Sequence, residues 1–194
     1  MHAEATAVEP RAMSADSAHS RAAGQLAQHA TGGDVDAFEE LVRRLQRRVY
    51  GFAYQHLHDP HEAHDLAQEI FVKLYRNLSR YDAERPFEPW FWTLATNTSI
   101  NYRRKRVPMP EEQTKEIVDE DQALPRHDPA LTQALAQLDP AYRIPVLLHY
   151  YADLPLEQVS QTLNVSVAAV KSRLHRARAQ LRNALAEAAE REEL

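Results

Sequence analysis

The chain has 194 residues and a net charge of −5, and its 44% hydrophobic and 26% charged residues are ordinary for a globular protein. The absence of cysteine excludes disulfides and thiolate zinc sites and is compatible with the cytoplasm. No apolar run approaches the length of a membrane span, the start lacks a signal-peptide pattern, and long runs with a period near 3.6 predict an all-α protein.

Residues 1–33 are rich in alanine, serine, histidine and glutamate, without a sustained hydrophobic period. This composition predicts a flexible N-terminal tail that has room for a short helix near residues 22–30. A regulatory role of the tail is the alternative.

A long amphipathic helix is predicted to follow the tail. Asp34 and Asp36 are both suitable caps for its start, and Asp36 with Glu39 fits a capping box. Its four arginines are interpreted as a solvated basic surface. The predicted buried stripe consists of Phe38, Leu41, Val42, Leu45, Val49, Phe52 and Leu57.

The pair Asp59-Pro60 predicts the start of the next helix, with a cap followed by a first-turn proline. One face of this helix carries Asp65, Gln68 and Glu69 beside an exposed Val72. No histidine, lysine or serine completes an obvious catalytic set with these carboxylates. The face is therefore interpreted as a docking surface, and the protein is not expected to be an enzyme.

Four histidines, His56, His58, His61 and His64, cluster at the junction between the two helices. His61 and His64 would share one helix face, within reach of a common metal ion. No acidic ligand has the supporting spacing, and surface histidines at helix ends are the favoured interpretation. No metal and no cofactor is therefore expected.

After a loop at residues 79–89 comes the run PWFWTLATNTSINYRRKR, which predicts a third helix. Trp90 and Phe91 are expected in the core, whereas Trp92 belongs either to the core or to a polar face with Asn97 and Asn101. Aromatic rings interleaved with amides and followed by a basic run suit single-stranded nucleic acid, where bases stack on rings and phosphates meet cations.

Residues 107–127 contain three prolines and six acidic residues, which predicts a flexible linker between helical domains at 34–106 and 128–190. Asp128-Pro129 and Asp139-Pro140 predict two further helix starts. Pro145 removes one backbone hydrogen bond and predicts a kink soon after the second of them.

The stretch from Leu156 to Leu181 predicts a helix-turn-helix, with Asn164 ending the first helix and Ser166 capping the second. A solvated helix hairpin is the alternative. The concentration of basic residues in an acidic chain favours DNA binding through the second helix. These basic residues are Lys171, Arg173, Arg176, Arg178 and Arg182.

Four runs occur in a distinctive order: DAFEELVRRLQRRVYGFA, DLAQEIFVKLY, PWFWTLATNTSINYRRKR and LDPAYRIPVLLHYYADLPLEQVSQTLNVSVAAVKSRLHRARAQLR. In this order and spacing the chain resembles the extracytoplasmic-function (ECF) group of bacterial sigma factors. These are initiation subunits of RNA polymerase, with two helical domains on a flexible linker. The resemblance implies promoter-specific initiation, with core RNA polymerase, promoter DNA and an anti-sigma protein as partners and a monomer when free of them.

The resemblance also implies roles for particular positions. Asp65, Gln68 and Glu69 match the segment that docks on polymerase, with Leu66 and Phe71 mostly in the core. The loop at residues 79–88 matches the one that captures a flipped base of the minus-ten element. The positions matching the strand-opening helix are Asn97, Asn101, Arg103 and Arg104. The positions matching the helix face that reads the minus-thirty-five element are Lys171, Ser172, His175 and Arg176.

Some positions depart from the family pattern. Thr96 stands where relatives often carry arginine, Asn101 where they carry aspartate, Asn164 where they carry glycine and Ala169 where they carry threonine. The first two bear on base preference and strand melting, and asparagine is tolerable in the turn. A two-domain helix-turn-helix regulator that does not bind polymerase is the alternative function, and a helical scaffold without a DNA role is a third.

Overall fold

The computed structural model describes residues 13–105 and 128–192, and the predicted linker at 107–127 lies outside them. No strand occurs in these two ranges, which confirms the all-α prediction. Their helices are α1 (Met13–Thr31), α2 (Val35–Leu57), α3 (Pro60–Asn77), α4 (Phe87–Lys105), α5 (Pro129–Gln137), α6 (Pro140–Val146), α7 (Leu156–Leu163) and α8 (Val167–Glu192). A 3₁₀ turn at Leu78–Arg80 follows α3, and a π-helical turn at Leu147–Tyr151 follows α6.

Helix α1 includes the short helix expected near residues 22–30, but it is longer and packed against the domain, unlike the predicted flexible tail, of which residues 1–12 lie outside the described residues. Ala23 and Ala27 are buried where α1 packs against α2 and α4. Between them, Gly24 faces Tyr81, whose hydroxyl would lie only 3.2 Å from a Cβ at this position. The fully packed residues of α1 are alanines, with the partly buried Leu26 beside them, so its sequence has no stripe of large apolar residues from which a packed helix could be predicted.

Aspartate caps begin the next two helices. Asp34 accepts a hydrogen bond from the Ala37 amide at 3.0 Å, so Asp34 is the cap of α2 and the Asp36–Glu39 capping box does not form its start. Asp59 accepts from the Glu62 amide at 2.7 Å and caps α3 as predicted. Between them, His58 ends α2 in the left-handed conformation, with φ of 62°.

Trp92 belongs to the core, so its alternative assignment to a polar nucleic-acid face is wrong. Its side chain is fully buried, with ring centroids 5.5 Å from Phe52 and 5.1 Å from Phe91. The indole Nε1 donates a hydrogen bond to Glu88 Oε2 at 2.8 Å, which satisfies its polar group inside the domain. Trp90 is half-buried, packing on Phe87 with a centroid distance of 5.9 Å.

The C-terminal domain begins with two capped helices, as predicted. Asp128 accepts from the Ala130 amide at 2.9 Å and Asp139 from the Ala141 amide at 2.7 Å. Pro145 lies inside α6, which ends one residue later and continues as the π-helical turn. The turn is closed by the Ala152 amide, which donates to the Leu147 carbonyl at 3.0 Å.

Helices α7 and α8 form the predicted helix-turn-helix. Asn164 ends α7 in the left-handed conformation, with φ of 52°. Ser166 Oγ accepts from the Ala169 amide at 3.1 Å at the start of α8. Val170, Leu174 and Ala177 are the buried residues of α8.

The two domains pack directly on each other. Helix α7 lies against α4, and α5 and the π-helical turn lie against α2, so that one hydrophobic core continues through both domains. Hydrogen bonds also cross this interface. Thr93 Oγ1 donates to the Thr162 carbonyl at 3.3 Å, and Arg48 Nε donates to the Ala152 carbonyl at 2.9 Å.

Candidate nucleic-acid and polymerase interfaces

The predicted docking residues lie together on the exposed side of α3. Asp65 and Gln68 are exposed and Glu69 is half-buried, while Leu66 is buried in the core and Phe71 packs partly against it. Residues three and four positions apart lie on neighbouring turns of one helix face. The structure therefore brings the three polar side chains together.

Local contacts hold two of these side chains in place. The amide of Gln68 lies 2.8 Å from the His64 ring, and the Glu69 carboxylate pairs with Lys73 Nζ at 2.9 Å. Both partners are on α3 itself, where His64 is exposed and Lys73 is half-buried, so these contacts orient the side chains at low energetic cost to a binding partner.

An apolar surface extends the predicted docking face, which consists of Asp65, Gln68 and Glu69, along α3. Val72 is 47% exposed and Tyr75 is 67% exposed, and the Tyr75 ring contacts Phe38 of α2 edge-on at 5.2 Å. The sequence indicated Val72 but not Tyr75. The spacing of Gln68, Val72 and Tyr75 follows one helix face and could have predicted the longer surface.

The docking face also borders α4. Burial raises the pKa of Tyr102, and the negative charges of Asp65, Glu69 and Asp59 raise it further. Tyr102 lies on α4, one residue after Asn101. The acidic side chains of the docking face therefore act directly on the helix that carries the predicted strand-opening residues.

The predicted strand-opening residues do not all share one side of α4. Asn97, Asn101 and Arg104 follow one another at helical spacing, with Asn97 and Arg104 exposed and Asn101 half-buried. Arg103 lies on another side of the helix, although it is exposed. Burial and the charge of Arg143 lower the pKa of His56 and His58 at the end of α2, and the charge of Arg103 lowers the pKa of both rings further.

The predicted base-capture loop is exposed at its tip and supported by aromatic rings. The Tyr81 hydroxyl donates to the Arg85 carbonyl at 2.9 Å, and Asp82 accepts from the Glu84 amide at 3.0 Å. The Tyr81 ring packs edge-on against Phe87 at 5.3 Å, which joins the loop to the core. The loop is thus internally bonded while its residues 82–86 remain exposed.

The four predicted recognition residues of α8 share one exposed face, opposite the buried stripe of this helix. Arg176 Nη1 donates to the Tyr142 hydroxyl at 3.5 Å, a long contact that leaves most of the guanidinium free. Helix α8 has no acidic residue before Glu187, so the positive face is not neutralised from its own helix. The four residues are Lys171, Ser172, His175 and Arg176.

The histidine cluster divides into two pairs. His56 is buried and the ring nitrogens of His58 are shielded from solvent, whereas His61 and His64 are exposed. Within residues 13–105 and 128–192, no three histidine, aspartate or glutamate side chains converge as metal ligands do. The pair that the sequence indicated as a shared metal site is thus exposed, and His64 contacts Gln68.

Arg48 has a structural role that its sequence context did not predict. It is one of four arginines on α2 that were interpreted as a solvated surface, but its Nη atoms bond both oxygens of Glu88, at 2.9 and 3.1 Å. Its guanidinium also lies 5.5 Å from the centroid of the Trp92 ring. Glu88 is 40 positions away in the sequence, so hydrophobic periodicity could not reveal the pair.

No helix in the described ranges is long and apolar enough to cross a membrane. The sequence matches two family models, described as Sigma-70 region 2 over residues 41–107 and Sigma-70, region 4 over residues 129–181. The first covers the docking face and α4, and the second covers the helix-turn-helix.

Two curated relatives align along most of their length. The ECF RNA polymerase sigma factor SigW of Bacillus subtilis is 31% identical over 79% of this chain and 91% of its own length. The RNA polymerase sigma-H factor of Pseudomonas aeruginosa is 30% identical over 83% of this chain and 92% of its own length.

The fold is similar to that of CnrH, solved in complex with the cytosolic domain of CnrY. The two chains superimpose with a TM-score of 0.68 at 27% sequence identity, covering 86% of this chain and 98% of CnrH. This similarity extends over both helical domains.

Proposed function

The chain belongs to the ECF group of bacterial RNA polymerase sigma factors, and from that membership we propose how its surfaces direct promoter-specific transcription initiation. One observation carries the proposal. A single chain combines a polar and apolar face on α3, amides and cations on α4, and a basic face on α8 whose own helix has no acidic residue before Glu187.

Core RNA polymerase is the proposed partner of α3. Asp65, Gln68 and Glu69 supply carboxylates and an amide for hydrogen bonds and ion pairs, and Val72 and Tyr75 supply apolar area beside them. An aromatic anchor next to charged groups is a common composition for a specific protein interface.

Promoter DNA is the proposed partner of the other two faces. On α4, Asn97 and Asn101 can hydrogen-bond exposed base edges of the opened minus-ten element, while Arg103 and Arg104 contact phosphates. On α8, Lys171 and Arg176 can reach guanine edges in the major groove of the minus-thirty-five element. Ser172 and His175 lie beside them and can contact the DNA backbone or the adjacent bases.

The protein performs no covalent chemistry in this proposal, because polymerase forms the phosphodiester bonds. It acts in the cytoplasm, where the polymerase and the promoter are. CnrH was solved in complex with the cytosolic domain of CnrY, and we propose that this chain also binds a protein partner, an anti-sigma protein that holds it inactive.

Simultaneous recognition of both promoter elements requires the domains to separate. About 25 base pairs at 3.4 Å each place the two elements about 85 Å apart on duplex DNA. A packed chain of this size has a radius of gyration of about 16 Å. The interface between α4 and α7 therefore opens in the initiating complex.

A helix-turn-helix regulator that ignores polymerase is the alternative function. It would use α8 but would not require the polar and apolar face of α3.

Size-exclusion chromatography with purified core polymerase distinguishes the sigma-factor function from this alternative. The sigma-factor proposal predicts that the wild-type chain co-elutes with polymerase. The double substitution Asp65→Ala with Glu69→Ala is expected to lower the affinity for polymerase at least tenfold. The exposed residue Glu39 on α2 provides the matched control Glu39→Ala, which retains co-elution. Wild-type protein that elutes separately from polymerase favours the alternative.

A further inference from the structure

Four side chains that carry or can acquire a positive charge meet where the two domains join. His56 and His58 come from the end of α2, Arg103 from α4 and Arg143 from α6 of the other domain. The charges of Arg143 and Arg103 act on both histidines, and Arg103 also acts on Arg143. His56 is 3% exposed and Arg143 is 2% exposed, so these two side chains are shielded from solvent, whereas His58 is half-buried and Arg103 is exposed.

Few opposite charges or hydrogen bonds compensate this cluster. Asp139, the cap of α6, favours the charged form of Arg143, and no carboxylate in the described residues acts comparably on either histidine. Arg143 Nη1 donates to the Ala136 carbonyl at 3.3 Å, but its Nε has no hydrogen-bond partner in the part of the chain that the structure describes. The Ser99 backbone lies near His56 and slightly favours its charged form, yet neither ring nitrogen has a partner at hydrogen-bonding geometry in the described residues.

The interface is also incompletely filled at this point. An open cavity of about 380 Å³ lies against His58 between the end of α2 and the start of α5. Its lining includes Tyr54, Thr132 and Gln133. His58 itself ends α2 in the left-handed conformation, which places this residue at the rim of the interface.

We propose that this cluster is a pH-responsive latch between the two domains, closed while His56 and His58 are neutral and opened when they gain protons. A proton on either ring adds a positive charge in a buried site that already holds Arg143 and faces Arg103. Separation of the domains relieves this repulsion and admits water to the rings. The latch rests on the proposed function, because separation is what lets the chain reach both promoter elements.

The direction of the pH dependence follows from the lowered pKa values of His56 and His58. Burial, then the charges of Arg143, Arg103 and His58, lower the pKa of His56 from 6.5 to about 4. The closed form is thus fully favoured above pH 6.5 and loses stability as pH falls toward 4. If opening restores an ordinary pKa, His56 alone raises the ratio of open to closed molecules up to about tenfold between pH 7.5 and 5.5. Burial lowers the pKa of His58 as well, in the same direction.

The test measures domain separation in the whole chain, without polymerase or DNA. The chain has no native cysteine, so Glu39→Cys on α2 and Gln180→Cys on α8 introduce two specific labelling sites at exposed positions. Single-molecule energy transfer between the dyes counts open molecules even when they are rare. We expect the open fraction to rise several-fold to tenfold from pH 7.5 to 5.5. An open fraction that does not change over this range overturns the latch.

Three variants separate the latch from a general effect of acid. His56→Gln with His58→Gln keeps both sites neutral and removes the pH response, whereas His61→Gln, at an exposed histidine outside the interface, retains it. If the double variant fails to fold, Arg143→Gln serves in its place, because it removes the opposing charge and moves opening to lower pH. A response that persists unchanged in the double variant, or in a folded Arg143→Gln, overturns the proposal. Because polymerase is absent, either result is independent of the sigma-factor proposal.

Discussion

Arg48 of the N-terminal domain donates a hydrogen bond from Nε to the backbone carbonyl of Ala152 in the C-terminal domain, at 2.9 Å. The same guanidinium forms a two-pronged ion pair with Glu88, which is 4% exposed and also accepts from the Trp92 indole. Ala152 follows the π-helical turn, where unpaired carbonyls attract a cation. One arginine therefore neutralises a buried carboxylate and joins the two domains.

The Arg48–Glu88 pair gives the first prediction. Arg48→Met keeps most of the side-chain volume but leaves the Glu88 carboxylate buried without its cation, which is expected to lower the free energy of unfolding by about 3 kcal/mol. Urea denaturation at neutral pH measures the change. The neighbouring Arg47 is exposed, so Arg47→Met serves as the control and is expected to change stability by less than about 0.5 kcal/mol.

A double variant tests the same pair more strictly. Glu88→Gln removes the buried charge while keeping an oxygen that accepts from the Trp92 indole. Combined with Arg48→Met, it is expected to cost less than the sum of the two single changes, because the unpaired charge is gone. Strict additivity would show that the two side chains do not depend on each other.

Trp92 gives the second prediction, which separates a core residue from a base-stacking one. Trp92→Phe removes the hydrogen bond to Glu88 and part of the buried ring, and is expected to cost about 1–3 kcal/mol of stability. Affinity for single-stranded minus-ten DNA, measured by fluorescence anisotropy well below the melting temperature, stays within twofold. Weaker DNA binding in a protein of unchanged stability would contradict the core assignment and show that Trp92 contacts nucleic acid.

The caps and turns of this protein could be predicted from short sequence patterns. Asp59, Asp128 and Asp139 each precede a proline, and Asn164 and Ser166 bracket the turn of the helix-turn-helix. Each of these caps and turns depends only on residues at most three positions away in the sequence. A short sequence pattern is therefore sufficient to predict it. The two-domain helical fold follows from these boundaries and from the apolar stripes between them.

The features that could not be predicted depend on partners far away in the sequence. Ala23 and Ala27 form a packed face only because α2 and α4 approach α1 closely. Arg48 differs from its exposed neighbours only because Glu88 and Ala152 lie beside it in the folded chain. Likewise, Arg103 acts on the histidines at the domain interface, an effect that depends on the position of α2 beside α4 in the folded chain.

Asn164 gives a third prediction, on backbone conformation. Its φ of 52° is strained for most residues and free of strain for glycine. Asn164→Gly is therefore expected to keep or slightly raise stability, within about 1 kcal/mol, whereas Asn164→Ala lowers it by about 1 kcal/mol. Thermal unfolding measures both changes. Asn183 is exposed within α8, so Asn183→Ala is the control and should not destabilise the protein. Equal effects of alanine at both positions would contradict the role of the turn.

The recognition face of α8 gives a fourth prediction. Lys171→Ala and Arg176→Ala are each expected to weaken binding to the minus-thirty-five element by about 1–3 kcal/mol if the side chain reads a base edge. Titration of promoter duplexes with single base changes measures the loss position by position. A loss that is the same on every sequence indicates a phosphate contact. Gln180 is exposed on the same helix and supplies the neutral control Gln180→Ala.

The most direct test of the proposed function is transcription in vitro with purified core polymerase and genomic DNA fragments, followed by sequencing of the transcript starts. We expect new start sites that share two upstream elements at a fixed separation, and we expect Asp65→Ala with Glu69→Ala to abolish these starts while Glu39→Ala does not. A wild-type protein that binds DNA through α8 but produces no new start sites would contradict the proposed function.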